Sequence, residues 1–533
     1  MKSIHLKIIS LLLLAALLAG LCGCGVFELT EEDLAEIEED AAEVVIGQSS
    51  GQELAATYAA DEKFSLNAMF SSSFNPYQTS SAWNLVVGML VYENLVEPDE
   101  NFEAQPNLVT AWQTEDGVHW RFYVDTTRKF HDGGDMKAVD AVYSINQAMA
   151  FGGKYAARFR RVIGISVIDD ETFDITLSEA NFRFYQLLDI PCIEYNSGGS
   201  STPPGTGPYM FSEAETYLVL DDKHPLAGEM PLDTIYLKEY SAAEDILQAF
   251  EDSWIDLVLN EPNGMSGLGY SSTNLIKYVD TTCMHYLGYN MQSSLFSGSM
   301  ARAIMTYAID RNAIVSDVME GAAVAATLPI HPNSALYPAD YADTLAYSED
   351  SLQNALNNIG AADLDGDGQL EFGGRKYTLN FIVCADSAVK VFAARRIAST
   401  LQKKGIAVNL RELNYEDYIE NLEDGNFDIY YAEVKICSDW DLCKFFESGG
   451  DLNYGGLNDN ALLNAMKTFL ASSETSQLQN RDMLYQYIGQ NAPITVICFE
   501  RNQVLYHRGV LAGLAPTQAN IFRHMENLTI NLD

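Results

Sequence analysis

Few runs of this chain carry residues able to hold an ion or break a bond. Asp363-Leu364-Asp365-Gly366-Asp367-Gly368 puts carboxylates at positions 1, 3 and 5 and glycine at position 6, the opening of a calcium loop. Position 12, where such a loop needs a bidentate Glu, is Gly374. Glu371 at position 9 is the substitute, and a plain acidic turn fits the same residues. The eight His are dispersed, without metal-ligand spacing. No HExxH, GxSxG or Walker A lysine loop is present. That favours binding over catalysis and implies no cofactor; a surface hydrolase stays as the reading from another class. Six cysteines, Cys192, Cys283, Cys384, Cys437, Cys443 and Cys498, are scattered with no CxxC pair, which argues against zinc. Outside the cytoplasm they permit disulfides, and Cys283–Cys437 and Cys437–Cys443 are the pairs to test.

The N-terminal segment has a chemistry of its own. Lys2 and Lys7 precede the apolar residues 8–21, a run of 14, too short for a bilayer that needs about 20. It reads as a secretory signal. Leu21-Cys22-Gly23-Cys24 resembles the lipobox of bacterial lipoproteins, whose cysteine is diacylated and becomes the mature N-terminus. The resemblance implies a signal peptide over 1–23, lipidation at Cys24, and a chain folded outside the cytoplasm but tethered to its membrane. An uncleaved anchor is the alternative. Residues 24–53 follow as anchor and acidic tether, with nine acids and no base between Glu28 and Glu43.

About 510 residues remain, enough for two or three cores, and an apolar share of 47% marks a globular chain. A net charge of −42 repels nucleic acid and anionic headgroups, so membrane contact is left to the lipid.

Hydrophobic periodicity places the elements. Residues 83–96 predict a helix on Trp83, Val86, Val87, Leu90, Val91 and Leu95. Trp120, Phe122 and Val124 alternate as a strand, 138–150 predict a helix, and 165–177 a hairpin turning at Asp169-Asp170. Pro203-Pro204-Gly205 breaks the chain. Further on, a strand (Tyr377, Leu379, Phe381, Val383), a helix over 389–403 capped by Gly405, a strand from 406, a helix over 415–422 and a strand over 427–434 spell parallel βαβ units.

Taken in order, several stretches resemble the family 5 extracellular solute-binding proteins, the oligopeptide-, dipeptide- and nickel-binding components of ABC importers. They are Val91-Tyr92-Glu93-Asn94-Leu95-Val96; Pro106-Asn107-Leu108-Val109 with Trp112; Phe130-His131-Asp132-Gly133-Gly134 with Ala138, Asp140 and Val142; Gly205-Thr206-Gly207-Pro208-Tyr209; Arg302 with Ala308-Ile309-Asp310-Arg311; and Asn453-Tyr454-Gly455-Gly456. The resemblance implies an α/β, two-lobed periplasmic-binding-protein-like fold that closes about a hinge on its ligand. Lobe I is expected over 54–282 plus 497–533, with an extra subdomain at about 76–200, and lobe II over 288–492. It implies a monomer that hands a peptide or other small solute to permease and ATPase subunits. The Gly205–Tyr209 turn is expected to use its glycines for unusual backbone angles, His131 to be a packed histidine, and Arg302 to pair with Asp310. In peptide-binding members an aspartate after a second-lobe strand holds the peptide's amino group. Asp439, in Cys437-Ser438-Asp439-Trp440-Asp441, matches it, with Trp440 as an apolar wall. Leu442 stands where the family has proline, which leaves Asp441 as rival and a non-peptide solute, an oligosaccharide or a metal chelate, as the alternative ligand. An Asp441 that stays in solvent would cost under about 1 kcal/mol to remove.

Overall fold

The computed structural model describes residues 61–151, 153–262 and 274–532. The signal segment, Cys24 and the acidic tether lie outside the described residues.

An eleven-stranded sheet runs through the molecule. At its centre two long antiparallel strands, Leu275–Tyr289 and Ile494–Tyr506, pair from Leu275 with Tyr506 to Gly288 with Ile494. Their register shifts between Asp280 and Met284. On one side of that shift Ile494–Tyr506 takes Leu257–Asn260 as its other neighbour. Ser65–Asn67, Thr234–Lys238, Tyr217–Leu220 and Tyr209–Phe211 continue the sheet outward. On the other side Leu275–Tyr289 takes Ile429–Lys435 through residues 283–289, followed by Thr378–Cys384 and Ala407–Leu413. The two long strands thus carry a different half of the sheet at either end.

The predicted βαβ run is present. Thr378–Cys384 pairs in parallel with Ala407–Leu413 and with Ile429–Lys435, joined through helices Ala388–Lys403 and Tyr415–Glu423. Leu379, Phe381 and Val383 pack under Val391, Ala394, Ile397 and Leu401 on one face, while Ile382 meets Tyr418, Leu422 and Tyr430 on the other. Burial on both faces is what a parallel sheet under helices requires. Gly405, at φ 81°, ends the first helix as expected.

A separate four-stranded antiparallel sheet, Val109–Gln113, His119–Val124, Thr172–Leu177 and Val162–Val167, is covered by helix Ala138–Ala150. Trp120, Phe122 and Val124 are its buried row, and Ile168 N–H donates to Thr172 O across the Asp169-Asp170 turn. The helix expected over 83–96 stops at Val91, as Ala82–Val91. Leu95 N–H is taken by Ile190 O, and Val96–Pro98 pairs as a strand, so tertiary pairing overrides the helical period.

Two signature stretches are stitched together. His131 Nε2 donates to Gly207 O at 2.9 Å, Gly205 N–H donates to Nδ1 at 3.3 Å, and His131 N–H donates to Gly205 O. Burial pulls this imidazole below its usual pKa, matching the neutral form those bonds need. The glycines of the turn serve close approach rather than unusual angles. A Cβ on Gly205 would stand 2.1 Å from Val91 O, and one on Gly207 2.5 Å from Leu90 O. Arg302 and Asp310 do not pair. Arg302 donates to the carbonyls of Asn491, Ala492 and Phe296, clamping helix Ser299–Ala308 to the end of helix Glu474–Asn491. Asp310 caps helix Arg311–Asp317, accepting from Ala313 N–H.

Candidate functional site

Strand Ile429–Lys435 delivers the chain into a tight loop. Trp440 sits at φ 61°, and its N–H donates to Cys437 O. This left-handed residue separates its side chain from those of its neighbours. Trp440 is fully buried, with ring centroids 5.8 Å from Phe102 and 6.4 Å from Phe499. Asp439 and Asp441 line a cavity of about 220 Å³. Trp440 is therefore a core side chain behind the loop, and the two carboxylates are what the loop presents.

The carboxylates differ in their partners. Asp439 is buried and accepts from Asn181 Nδ2 at 2.8 Å and from Asp441 N–H at 3.2 Å. No cationic nitrogen lies within ion-pair distance of it among the described residues. Burial, then the charge of Asp441, pushes it up to about 6. Asp441 accepts from Arg160 at 2.5 Å and from Arg161 at 3.0 Å, both on the opposite wall, and from Cys443 N–H. Burial would raise it, but Arg161 and Arg160 outweigh burial and hold it below the usual carboxylate range. An Asp441 left in solvent is thus not what the structure has, because two arginines cover it.

The remaining wall is basic for so acidic a chain. Arg158, Lys435 and Lys444 join Arg160 and Arg161 around the cavity, with Phe184, Leu187 and Phe445 as apolar surface. Arg158 pairs with Asp189 and Lys444 with Asp451. Lys435 has no carboxylate within ion-pair distance among the described residues. Its side chain stays exposed in the cleft, and crowding by the surrounding atoms, with the positive charge of Lys154 nearby, pulls its ammonium below the usual lysine range.

Two other sequence candidates are placed elsewhere. Lys376 pairs with Asp365 and Asp367, while Asp363 accepts from Gly366 N–H and Gly368 N–H and Glu371 from Leu364 N–H. A lysine ammonium thus lies among the acids of the calcium-like run. The six cysteines are free thiols, so neither Cys283–Cys437 nor Cys437–Cys443 is bridged.

Residues 103–439 match the sequence model of the bacterial extracellular solute-binding proteins, family 5, middle part. The oligopeptide-binding protein AppA of Bacillus subtilis strain 168 is 24% identical over 462 residues, covering 80% of this chain and 84% of that protein. The solved structure of B. subtilis AppA with a nonapeptide superposes with a TM-score of 0.60 at 20% identity, covering 88% of this chain and 99% of that one. That of NikZ from Campylobacter jejuni with Ni(L-His) gives 0.62 at 17% identity, with coverage of 88% and 99%. These structures share the two-lobed fold.

Proposed function

This chain belongs to the bacterial extracellular solute-binding proteins of family 5, binding components of ABC importers, and we propose that within that family it captures oligopeptides and delivers them to a permease. The observation that carries the reading is Asp439. It is a buried carboxylate on a cavity wall, hydrogen-bonded to the neutral Asn181, while its neighbour Asp441 takes both arginines. A buried anion without a counter-ion is costly, and an entering ammonium relieves that cost with a charge-assisted bond of about 1.5–3 kcal/mol. A peptide N-terminus is such a group, and the relative AppA is an oligopeptide-binding protein.

The register shift at 280–284, opposite 499–501, is the hinge in this reading. It lies within a few residues of the limits 282 and 497 read from sequence. Lobe I is then the half of the sheet holding Leu257–Asn260, with the four-stranded subdomain, and lobe II the half holding Ile429–Lys435. Asp441 on lobe II meeting Arg160 and Arg161 on the subdomain is a contact made on closing. The mature chain is held at the outer membrane face through lipid on Cys24; no helix among the described residues is long and apolar enough to cross a bilayer.

A second reading, an oligosaccharide or a metal chelate, draws on Lys435 and the arginines, which give the same cavity a wall suited to anionic groups. Native mass spectrometry of the purified protein separates the two. Co-purified short peptides are expected, and a sugar or a nickel species in their place rejects the peptide reading.

A further inference from the structure

Next to the register shift, three strands bring four ligating side chains together. Cys283 and His285 stand two residues apart on Leu275–Tyr289, hence on one face of the sheet. Glu433, on Ile429–Lys435, is the register partner of His285. Glu500 comes from Ile494–Tyr506, the strand on the other side. The thiol sulfur, an imidazole nitrogen and one oxygen of each carboxylate all lie within 4.8 Å of one another. His285 is fully buried, with Nε2 2.7 Å from Glu500 Oε1 and 3.5 Å from Glu433 Oε2. Its Nδ1 is fixed by the Tyr431 hydroxyl at 2.9 Å. Glu433 is exposed to solvent, and Cys283 and Glu500 are half-buried.

We propose that Cys283, His285, Glu433 and Glu500 form a site for a borderline divalent transition metal, zinc by preference. A thiolate, an imidazole and two carboxylates are a zinc donor set, and zinc bonds of about 2.0–2.3 Å place tetrahedral donors about 3.3–3.8 Å apart. Closing the present cluster to that size takes side-chain adjustment on strands already in place. Two carboxylates crowded around one imidazole edge repel each other, and beside them Lys390 pairs with Glu433 Oε1 on the outer side. A divalent ion at the centre removes that repulsion. On loading, the thiol gives up its proton to solvent and the neutral imidazole binds through Nε2 as its Nδ1–H tautomer, that one ring proton facing the Tyr431 oxygen. Tyr431 and Lys390 are then the outer partners that orient a ligating His and Glu. Cysteine spacing argued against zinc because the set is assembled across three strands far apart in sequence. A bound ion would pin those strands together at the hinge, and the site does not depend on what the cavity binds.

The test is titration of EDTA-treated full-length protein with Zn²⁺, and with Co²⁺ as a spectroscopic probe, without peptide. Expected are one saturable equivalent of zinc, a rise in melting temperature, and a cobalt–thiolate charge-transfer band with tetrahedral d–d bands. Cys283→Ser should abolish the charge-transfer band. Glu433→Gln, a near-isosteric change at an exposed position, should weaken zinc by about tenfold or more while the far-UV circular dichroism stays that of wild type. Absence of a saturable zinc equivalent overturns the proposal. So does one unchanged in both variants, or one lost instead in Asp365→Asn.

Discussion

Asp439 and Asp441 are two residues apart and face opposite electrostatic conditions. If Asp439 holds a peptide ammonium, Asp439→Ala leaves that cation buried and unpaired. Affinity should then fall by about 2–4 kcal/mol, roughly 30- to 1000-fold, by calorimetry with a co-purified peptide. Equal affinity would remove Asp439 from the site. Its proton adds a sign. The folded pKa, about 6, stands above that of an ordinary aspartate, so the folded chain holds this proton more tightly than the unfolded chain. Stability from this group is therefore greatest in acid and is lost as pH rises toward about 6. Peptide affinity runs the other way, weakening as pH falls below about 6. Asp439→Asn should melt higher than wild type at pH 7 while losing peptide, and scanning calorimetry at pH 5 and 7 checks it. Asp441→Ala takes from Arg160 and Arg161 their shared buried partner and leaves them only Glu447 and Glu179, so a loss of about 1–3 kcal/mol in stability, read from the urea midpoint, is expected in place of the small cost of an exposed acid. Asp439 was legible because its loop follows a readable strand. Asn181 and Lys435 carried no local signal. The arginines carried one, since Arg158-Phe159-Arg160-Arg161 is a basic run in a chain of charge −42.

Among the elements, period and punctuation decided what could be read ahead. Thr378–Cys384 to Ile429–Lys435 was legible because alternation, helical stripe and Gly405 agree. The end of helix Ala82–Val91 was not, because Leu95 is claimed by Ile190, almost a hundred residues away. The turn at Gly205–Tyr209 was visible as a motif, but its cause is contact with a carbonyl that only the folded chain supplies. Gly205→Ala should therefore cost about 1–3 kcal/mol, lowering the urea midpoint with the slope unchanged. Gly199→Ala, whose Cβ meets nothing within 4 Å, is the control and should stay within about 0.5 kcal/mol.

For the whole molecule, charge and anchorage act together. A chain at −42 gains nothing from anionic headgroups, so under the anchor proposed above retention at the membrane would rest on the lipid alone. Cys24→Ser should move the protein from membrane to soluble fractions or block its processing; unchanged fractionation with normal cleavage would reject Cys24 as the lipid site. The central strands have a consequence in time as well as in space. Leu257–Asn260 lies between Ser65–Asn67 and residues 503–506, so the sheet begun near residue 65 cannot be completed until residue 506 is available. Pairings so remote in sequence form slowly. A core that cannot close before residue 506 has been made stays open through most of synthesis, which is the state that passage of an unfolded chain through a membrane channel would require.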